Sequence, residues 1–249
     1  MTVAVIQFPG SNCEKETCDA LGNIGVSHEL VAWNYAGSLT KFSGFILPGG
    51  FSFQDRIRAG VIAAKLPIIK NIINESNTHQ KPVLGICNGA QILVESGLFS
   101  EDEKVSEIID LNYVENQQIG FMCDWGFLTP FNASHNLFLH HFSDSDVLPI
   151  QICHGEGRFI MSTEPLSGMM YSTIDGNQSN TFPTTPNGAA NGVAAISNKN
   201  GNALAIMPHP ERSIDSNRYP LSIKAYAKQN NQNLVNYTKL FETFKDGLQ

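Results

Sequence analysis

The sequence predicts an α/β fold: a mostly parallel central sheet with helices on both faces, and an additional antiparallel β region in the second half. Three observations carry this expectation. Short apolar runs bounded by Pro or Gly alternate with helical patterns through the first hundred residues, and strands apolar on both sides belong to parallel sheets covered on two faces. Beyond residue 107, strand-like segments follow one another with few helical patterns between them. The chain has 249 residues, 42% of them hydrophobic, which is enough to bury a sizeable core.

Residues 3–8 (VAVIQF) form an apolar run closed by Pro9-Gly10 and read as a buried strand. Ser11-Asn12 then offers helix caps for residues 14–21. A weaker strand is expected over 28–31, and a third over 45–47, cut by Pro48-Gly49-Gly50. The pattern from 54 to 77 is helical, with Pro67 breaking it or starting a second segment. Residues 82–86 (PVLGI) read as a fourth strand, and 88–95 as a helix ended by Gly97. In the second half, strands are expected over 107–114, 120–128 and 149–153. Residues 175–192 form a long turn-rich loop. Residues 193–197 and 203–207 flank the turn NKNGN as a hairpin, and 234–244 read as a C-terminal helix. With no repeat and no clear linker, one domain over 1–249 is expected.

Composition narrows the function. Sixteen Lys and Arg against 23 Asp and Glu give a net charge of −7 with no basic run, so neither nucleic acid nor an anionic membrane is the expected partner. The start lacks a cationic leader pattern, and no apolar stretch reaches the roughly 18 residues of a membrane span. A cytoplasmic protein is expected. The cysteines at 13, 18, 87, 123 and 153 are odd in number, and none sits in a C-x-x-C pair. Cys153-His154 and His140-His141 are adjacent pairs, whose side chains point to opposite sides of an extended chain. No structural disulfide and no metal is expected.

The strongest chemical signal is Gly85-Ile86-Cys87-Asn88-Gly89, where a buried strand runs directly into a helix. This is the thiol form of the nucleophile elbow. Turning from strand to helix at one residue strains its backbone, and side chains two positions away would collide, hence the glycines. Cys87 then stands at the carboxyl edge of the sheet, where open α/β sheets bind ligands. It also faces a helix N-terminus, which favours a thiolate. By itself the motif reads equally as a core cysteine in a Gly-rich turn.

A partner lies in Met207-Pro208-His209-Pro210-Glu211, at the end of another apolar strand. In extended backbone, residues i and i+2 share a side, and Pro210 pushes His209 to the extended region. Glu211 can therefore accept from one imidazole nitrogen while the other faces a thiol, the arrangement of nucleophile, base and orienting group. At a third strand end, Gly49-Gly50 lets main-chain N–H groups approach a ligand, and with the N–H of Asn88 supplies an oxyanion hole. Gln91 lies one helical turn after Cys87 and can face the same pocket.

Together these residues resemble the class I (triad) glutamine amidotransferases. FPGSNC at 8–13, LPGGFSFQDRIRAG at 47–60, PVLGICNGAQIL at 82–93, HGEGRF at 154–159 and MPHPER at 207–212 are similar, within that family, to the glutaminase subunits of phosphoribosylformylglycinamidine synthases in purine biosynthesis. The resemblance runs from the first strand to Arg212. It implies a flavodoxin-like three-layer sandwich, with Cys87 as nucleophile, His209 as general acid and base, and Glu211 orienting it. It also implies Gly50 and Asn88 as oxyanion donors, and Gly49, Phe51, Gln91, His154 and Gly155 as contacts to glutamine.

The implied reaction hydrolyses glutamine through a cysteinyl thioester and passes ammonia to a larger ATP-dependent synthetase, with a small accessory subunit. No cofactor is implied for this chain, which carries no G-x-x-x-x-G-K pattern; ATP and Mg are expected on the synthetase. Phe53-Gln54 stands where family members commonly have Tyr-Gly, and the loop at 175–192 and the tail after Arg212 are longer. Arg56, Arg58, Arg158 and Arg212 follow motif residues and either rim the pocket or are solvated surface. Two other readings stay open: a stand-alone cysteine hydrolase on the same scaffold, and a binding subunit with a vestigial thiol.

Overall fold

A computed structural model describes residues 1–100, 108–115, 117–161 and 163–248. The first hundred residues fold as β1 (Thr2–Gln7), α1 (Glu14–Asn23), β2 (Ser27–Ala32), β3 (Gly44–Leu47), α2 (Val61–Ala64), α3 (Pro67–His79), β4 (Val83–Ile86) and α4 (Asn88–Glu95). The second half adds β5 (Ile108–Leu111), β6 (Tyr113–Val114), β7 (Gln117–Gln118), β8 (Met122–Phe131), β9 (Leu148–His154), β10 (Glu156–Ile160) and β11 (Gly168–Ser172). β12 (Val193–Ser197), β13 (Ala203–Ile206), α5 (Leu221–Gln229) and α6 (Thr238–Asp246) complete it.

Nine strands form one sheet in the order β2-β1-β3-β4-β13-β12-β11-β8-β9. The run from β2 to β13 is parallel, and the remaining pairings are antiparallel. The antiparallel region is thus continuous with the central sheet. Two small antiparallel ribbons, β5 with β10 and β6 with β7, lie outside it.

Apolar patterning explains the layering. Val3, Ala4, Val5 and Ile6 are all fully buried, as a strand covered on both faces requires. β2 is mostly exposed at the sheet edge, which is why its sequence signal is weak. Chain order runs outward to β2 from β1 and the other way from β3 through β4 to β13. Right-handed crossovers then put α1 on one face and α2 to α4 on the other. Every residue of α4 is buried, as expected of a helix packed on several sides. The carboxyl ends of β1, β3, β4 and β13 meet where the strand order reverses, the crevice at which such sheets bind ligands.

The expected helix over 54–77 is corrected in its first part. Phe53, Gln54, Asp55 and Ile57 all have positive φ, so residues 54–60 form a strained loop and helix resumes only at Val61. The Asp55 side chain is drawn to Asn88 Nδ2, 3.1 Å away, a tertiary bond invisible to helical periodicity. Pro67 starts α3. The C-terminal helix begins at Thr238 rather than at 234, because Leu234 bridges to Val147. Residue 107 of the expected strand over 107–114 lies outside the described residues. The rest of that stretch divides into β5 and β6. Strands β10 and β11 and helix α5 answer to no sequence expectation. α5 buries only Ile223, too little for a clear apolar stripe. The hairpin over 193–207 forms, with Ala195 opposite Ile206, and 175–192 is a loop with a bridge from Gln178 to Ser172 and a short helical turn at its end.

Candidate active site

Cys87 occupies the elbow between β4 and α4 with φ 51° and ψ −108°. This left-handed backbone is strained for any residue with a Cβ, and the surroundings hold it there. The Cys87 N–H donates to Ile206 O of β13 (2.8 Å), and its carbonyl accepts from Gln91 N–H (3.0 Å). A Cβ on Gly89 would lie 1.9 Å from Leu47 O, so glycine there lets α4 seat against β3. Cys87 Sγ sits 3.7 Å from Cys153 O.

The same β13 register that bonds Cys87 delivers the imidazole three residues further on. His209 N–H donates to Gln151 O (2.9 Å) on β9, which fixes the backbone. Its Nδ1 meets Glu211 Oε1 at 2.6 Å, with the two side chains 2% and 0% exposed. His209 Nε2 is buried without a hydrogen-bond partner among the described residues. Burial works against charge on His209, but the Glu211 carboxylate and the thiols of Cys87 and Cys13 outweigh it and raise its pKa well above the ordinary value. Gly49 fits tightly between these groups: a Cβ there would stand 2.9 Å from His209 Cε1, 3.1 Å from Cys13 Sγ and 3.4 Å from Cys87 Cβ.

One cavity of about 130 Å³ joins these elements. It is lined by Cys87, Gln91, His209, Gly50, Phe51, His154 and Gly155 of the expected residues. Gly49, Asn88 and Glu211 stand behind this wall. The Asn88 side chain takes a structural part, accepting from Ser52 N–H (3.0 Å) and donating to Asp55 Oδ1 and to Gln91 Oε1 (2.9 Å). Gln91 Nε2 in turn donates to Glu156 O (2.6 Å). The Asn88 N–H belongs to the first turn of α4, where main-chain donors have no intrahelical partner. The bridge between Ser11 and Gly50 is made by Phe51 N–H to Gly10 O and Asn12 N–H to Gly49 O, so it does not use the Gly50 N–H.

His154 is 2% exposed, and neither ring nitrogen has a partner among the described residues. Burial, then the nearby His209, lowers its pKa to about 3, so it stays neutral. Of the four arginines that follow motif residues, only Arg212 lines the cavity, with Nη2 3.1 Å from Cys13 Sγ. Arg58 pairs with Glu95, Arg158 with Asp110, and Arg56 with Gln54.

The structure adds lining residues to which the sequence assigned no part in the site: Asp55, Glu156, Cys153, Phe121, Asn12 and Cys13. Asp55 and Glu156 bring two carboxylates into the cleft. Burial, then the charge of Glu156, raises Asp55 to about 6, partly offset by the Asn88 hydrogen bond. Both belong to motifs visible in the sequence, G-F-S-x-x-D and H-G-E-G. Their proximity was not visible, because it depends on how the loop after β3 folds back.

A family model described as a CobB/CobQ-like glutamine amidotransferase domain matches residues 1–246. The chain is 38% identical over 232 residues to phosphoribosylformylglycinamidine synthase subunit PurQ of Methanothrix thermoacetophila, covering 86% of this chain and 87% of that protein. It is 36% identical over 221 residues to the subunit of the same name in Methanocaldococcus jannaschii, covering 86% and 90%. Among solved structures, PurLQS from Thermotoga maritima superposes with a TM-score of 0.75 at 26% identity, covering 100% of this chain and 99% of that one. A glutamine amidotransferase from the same organism, at 18% identity and a TM-score of 0.52, shares the fold. This chain belongs to the CobB/CobQ-like glutamine amidotransferase domain family.

Proposed function

We propose that the chain is the glutaminase subunit of a phosphoribosylformylglycinamidine synthase. It would release ammonia from glutamine for a synthetase that converts formylglycinamide ribonucleotide to its amidine. The observation that carries this reading is the meeting of Cys87 with the His209–Glu211 pair in one cleft, in a chain 38% identical to a subunit of that name.

The chemistry follows from the geometry. The Cys87 sulfur attacks the carboxamide carbon of glutamine as its proton passes to His209. The developing oxyanion takes the N–H groups of Gly50 and Asn88, each worth about 3 kcal/mol in such sites. His209 gives its proton to the leaving nitrogen, ammonia departs, and a γ-glutamyl thioester remains on Cys87. His209 then takes a proton from water as it attacks the thioester, and glutamate leaves. Glu211 holds the ring by Nδ1 and compensates its charge. The carboxylates of Asp55 and Glu156 suit the α-ammonium of glutamine, the one cation the substrate offers.

ATP and Mg act on the synthetase in this reading, a small accessory subunit completes the assembly, and the complex is cytoplasmic. Among the described residues, no helix is long and apolar enough to cross a membrane. The test is to combine the chain with the synthetase from the same cell, ATP, Mg and formylglycinamide ribonucleotide. Amidine formation from glutamine only when the chain is present supports the reading. Cleavage of peptides in place of glutamine would favour the stand-alone cysteine hydrolase.

A further inference from the structure

Strands β8 and β9 place Cys123 directly opposite Cys153, with their sulfurs 3.6 Å apart. The pairing type follows from a neighbour. Gln151 N–H donates to Ser213 Oγ (3.2 Å), and Gln151 O accepts from His209 N–H, so both main-chain groups of Gln151 point away from β8. Two residues on, Cys153 repeats that orientation, and its carbonyl faces Cys87 Sγ at 3.7 Å. Cys153 and Cys123 are therefore a non-hydrogen-bonded antiparallel pair, whose Cα atoms lie about 4.5 Å apart. That falls inside the roughly 4.4–6.8 Å window of disulfides. Cys123 is exposed, while Cys153 is half-buried and lines the active-site cavity.

We propose that Cys123 and Cys153 are a peroxide-oxidisable dithiol whose reversible disulfide shuts down the adjoining cleft. The exposed Cys123 sulfur attacks one oxygen of hydrogen peroxide and breaks the O–O bond. Cys123 becomes a sulfenic acid, and its proton leaves with the other oxygen as water. The Cys153 sulfur then attacks the sulfenic sulfur, the S–S bond forms, and the hydroxyl departs with the Cys153 proton as a second water. Two thiols are oxidised and one peroxide is reduced. Burial, reinforced by the adjacent Cys123 sulfur, pushes the Cys153 thiol up, in keeping with Cys123 meeting the oxidant first.

The consequence rests on the glutaminase reading. Closing the sulfur gap from 3.6 Å to the bonded length of about 2.05 Å draws Cys153 towards β8. The Cys153 carbonyl touches the nucleophile, and His154, Gly155 and Glu156 follow it along the cavity wall. A displacement of about 1 Å at a reacting centre costs on the order of a hundredfold in rate.

Two measurements test this. In the full chain carrying Cys87→Ala, which removes the competing nucleophile, peroxide should yield a Cys123–Cys153 cross-linked peptide that a reductant abolishes. In the chain with its synthetase, peroxide should lower glutamine turnover roughly tenfold or more beyond the loss in Cys123→Ser, and a reductant should restore the difference. Absence of the cross-link, or an equal or smaller loss in the unsubstituted chain, overturns the proposal. If the fully reduced complex does not hydrolyse glutamine at all, the functional reading fails, and the peptide mapping still decides the cross-link.

Discussion

His209 Nδ1 and Glu211 Oε1 lie 2.6 Å apart, with both side chains withdrawn from water and only Pro210 between them. Pro210 starts a short helical turn with Glu211 inside it, which curls the carboxylate back under the imidazole. The carboxylate fixes which nitrogen faces the cleft and outweighs the burial that opposes charge on the ring. Glu211→Gln keeps the shape and removes the charge. Glutamine turnover is expected to drop on the order of 10²- to 10⁴-fold in kcat, with little change in KM. Steady-state kinetics check this. The raised pKa also sets a sign for stability. The pair's contribution is complete below the ordinary histidine range and is lost as pH rises through the folded value. The gap in stability between wild type and variant should therefore narrow at high pH.

Asp55 carries the opposite compromise. Its carboxyl is raised to about 6 by burial and by Glu156, so at neutral pH its charge is held at a cost to the fold. That cost is full above about 6 and is relieved as pH falls from there towards the ordinary carboxylate range. Asp55→Asn should therefore melt at a higher temperature than wild type at pH 7.5. Its KM for glutamine should rise roughly ten- to a hundredfold, the worth of a charge-assisted contact, with kcat changed far less. A variant both less stable and unchanged in KM would remove Asp55 from the ammonium site.

Much of this site was legible in the sequence, for a physical reason. Cys87, His209 and Gly50 each follow a buried strand, and strands β3, β4 and β13 are parallel neighbours, so their carboxyl ends converge. Asp55 and Glu156 stand in sequence motifs that assign them no role, because Glu156 reaches the cleft only through the turn from β9 into β10. Strand β10 leaves no clear local signal, since its alternation is short and broken by Gly157. The loop from 54 to 60 has a helical composition, so its sequence points to helix. Its left-handed residues and the Asn88 bond to Asp55 are tertiary facts that no local period encodes.

That loop yields a further expectation. Gln54 has φ 63°, in the region where a side chain costs about 1–2 kcal/mol and glycine costs nothing. Gln54→Gly relieves the strain but loosens the unfolded chain by about 0.5–1 kcal/mol. The net expectation is stabilisation of about 0.5–1 kcal/mol, read by chemical denaturation, with glutamine KM unchanged.

His154 predicts the acid limb. Buried and neutral, with its pKa lowered to about 3, it cannot take the proton that the unfolded chain takes near 6.5. The fold therefore loses stability as pH falls below about 6.5, by at most about 5 kcal/mol from this residue. His154→Gln should flatten the stability profile between pH 6.5 and 4 relative to wild type. Equal slopes for the two proteins would contradict the neutral assignment.

The most direct measurement compares two nitrogen sources in the assembled complex carrying Cys87→Ala. With glutamine, amidine formation should vanish, because no sulfur remains to form the thioester. With ammonium salts at high pH it should proceed at the wild-type rate, because the synthetase is untouched. Glutamine-dependent synthesis that survives in Cys87→Ala would contradict the assignment of Cys87 as nucleophile and the account built on it.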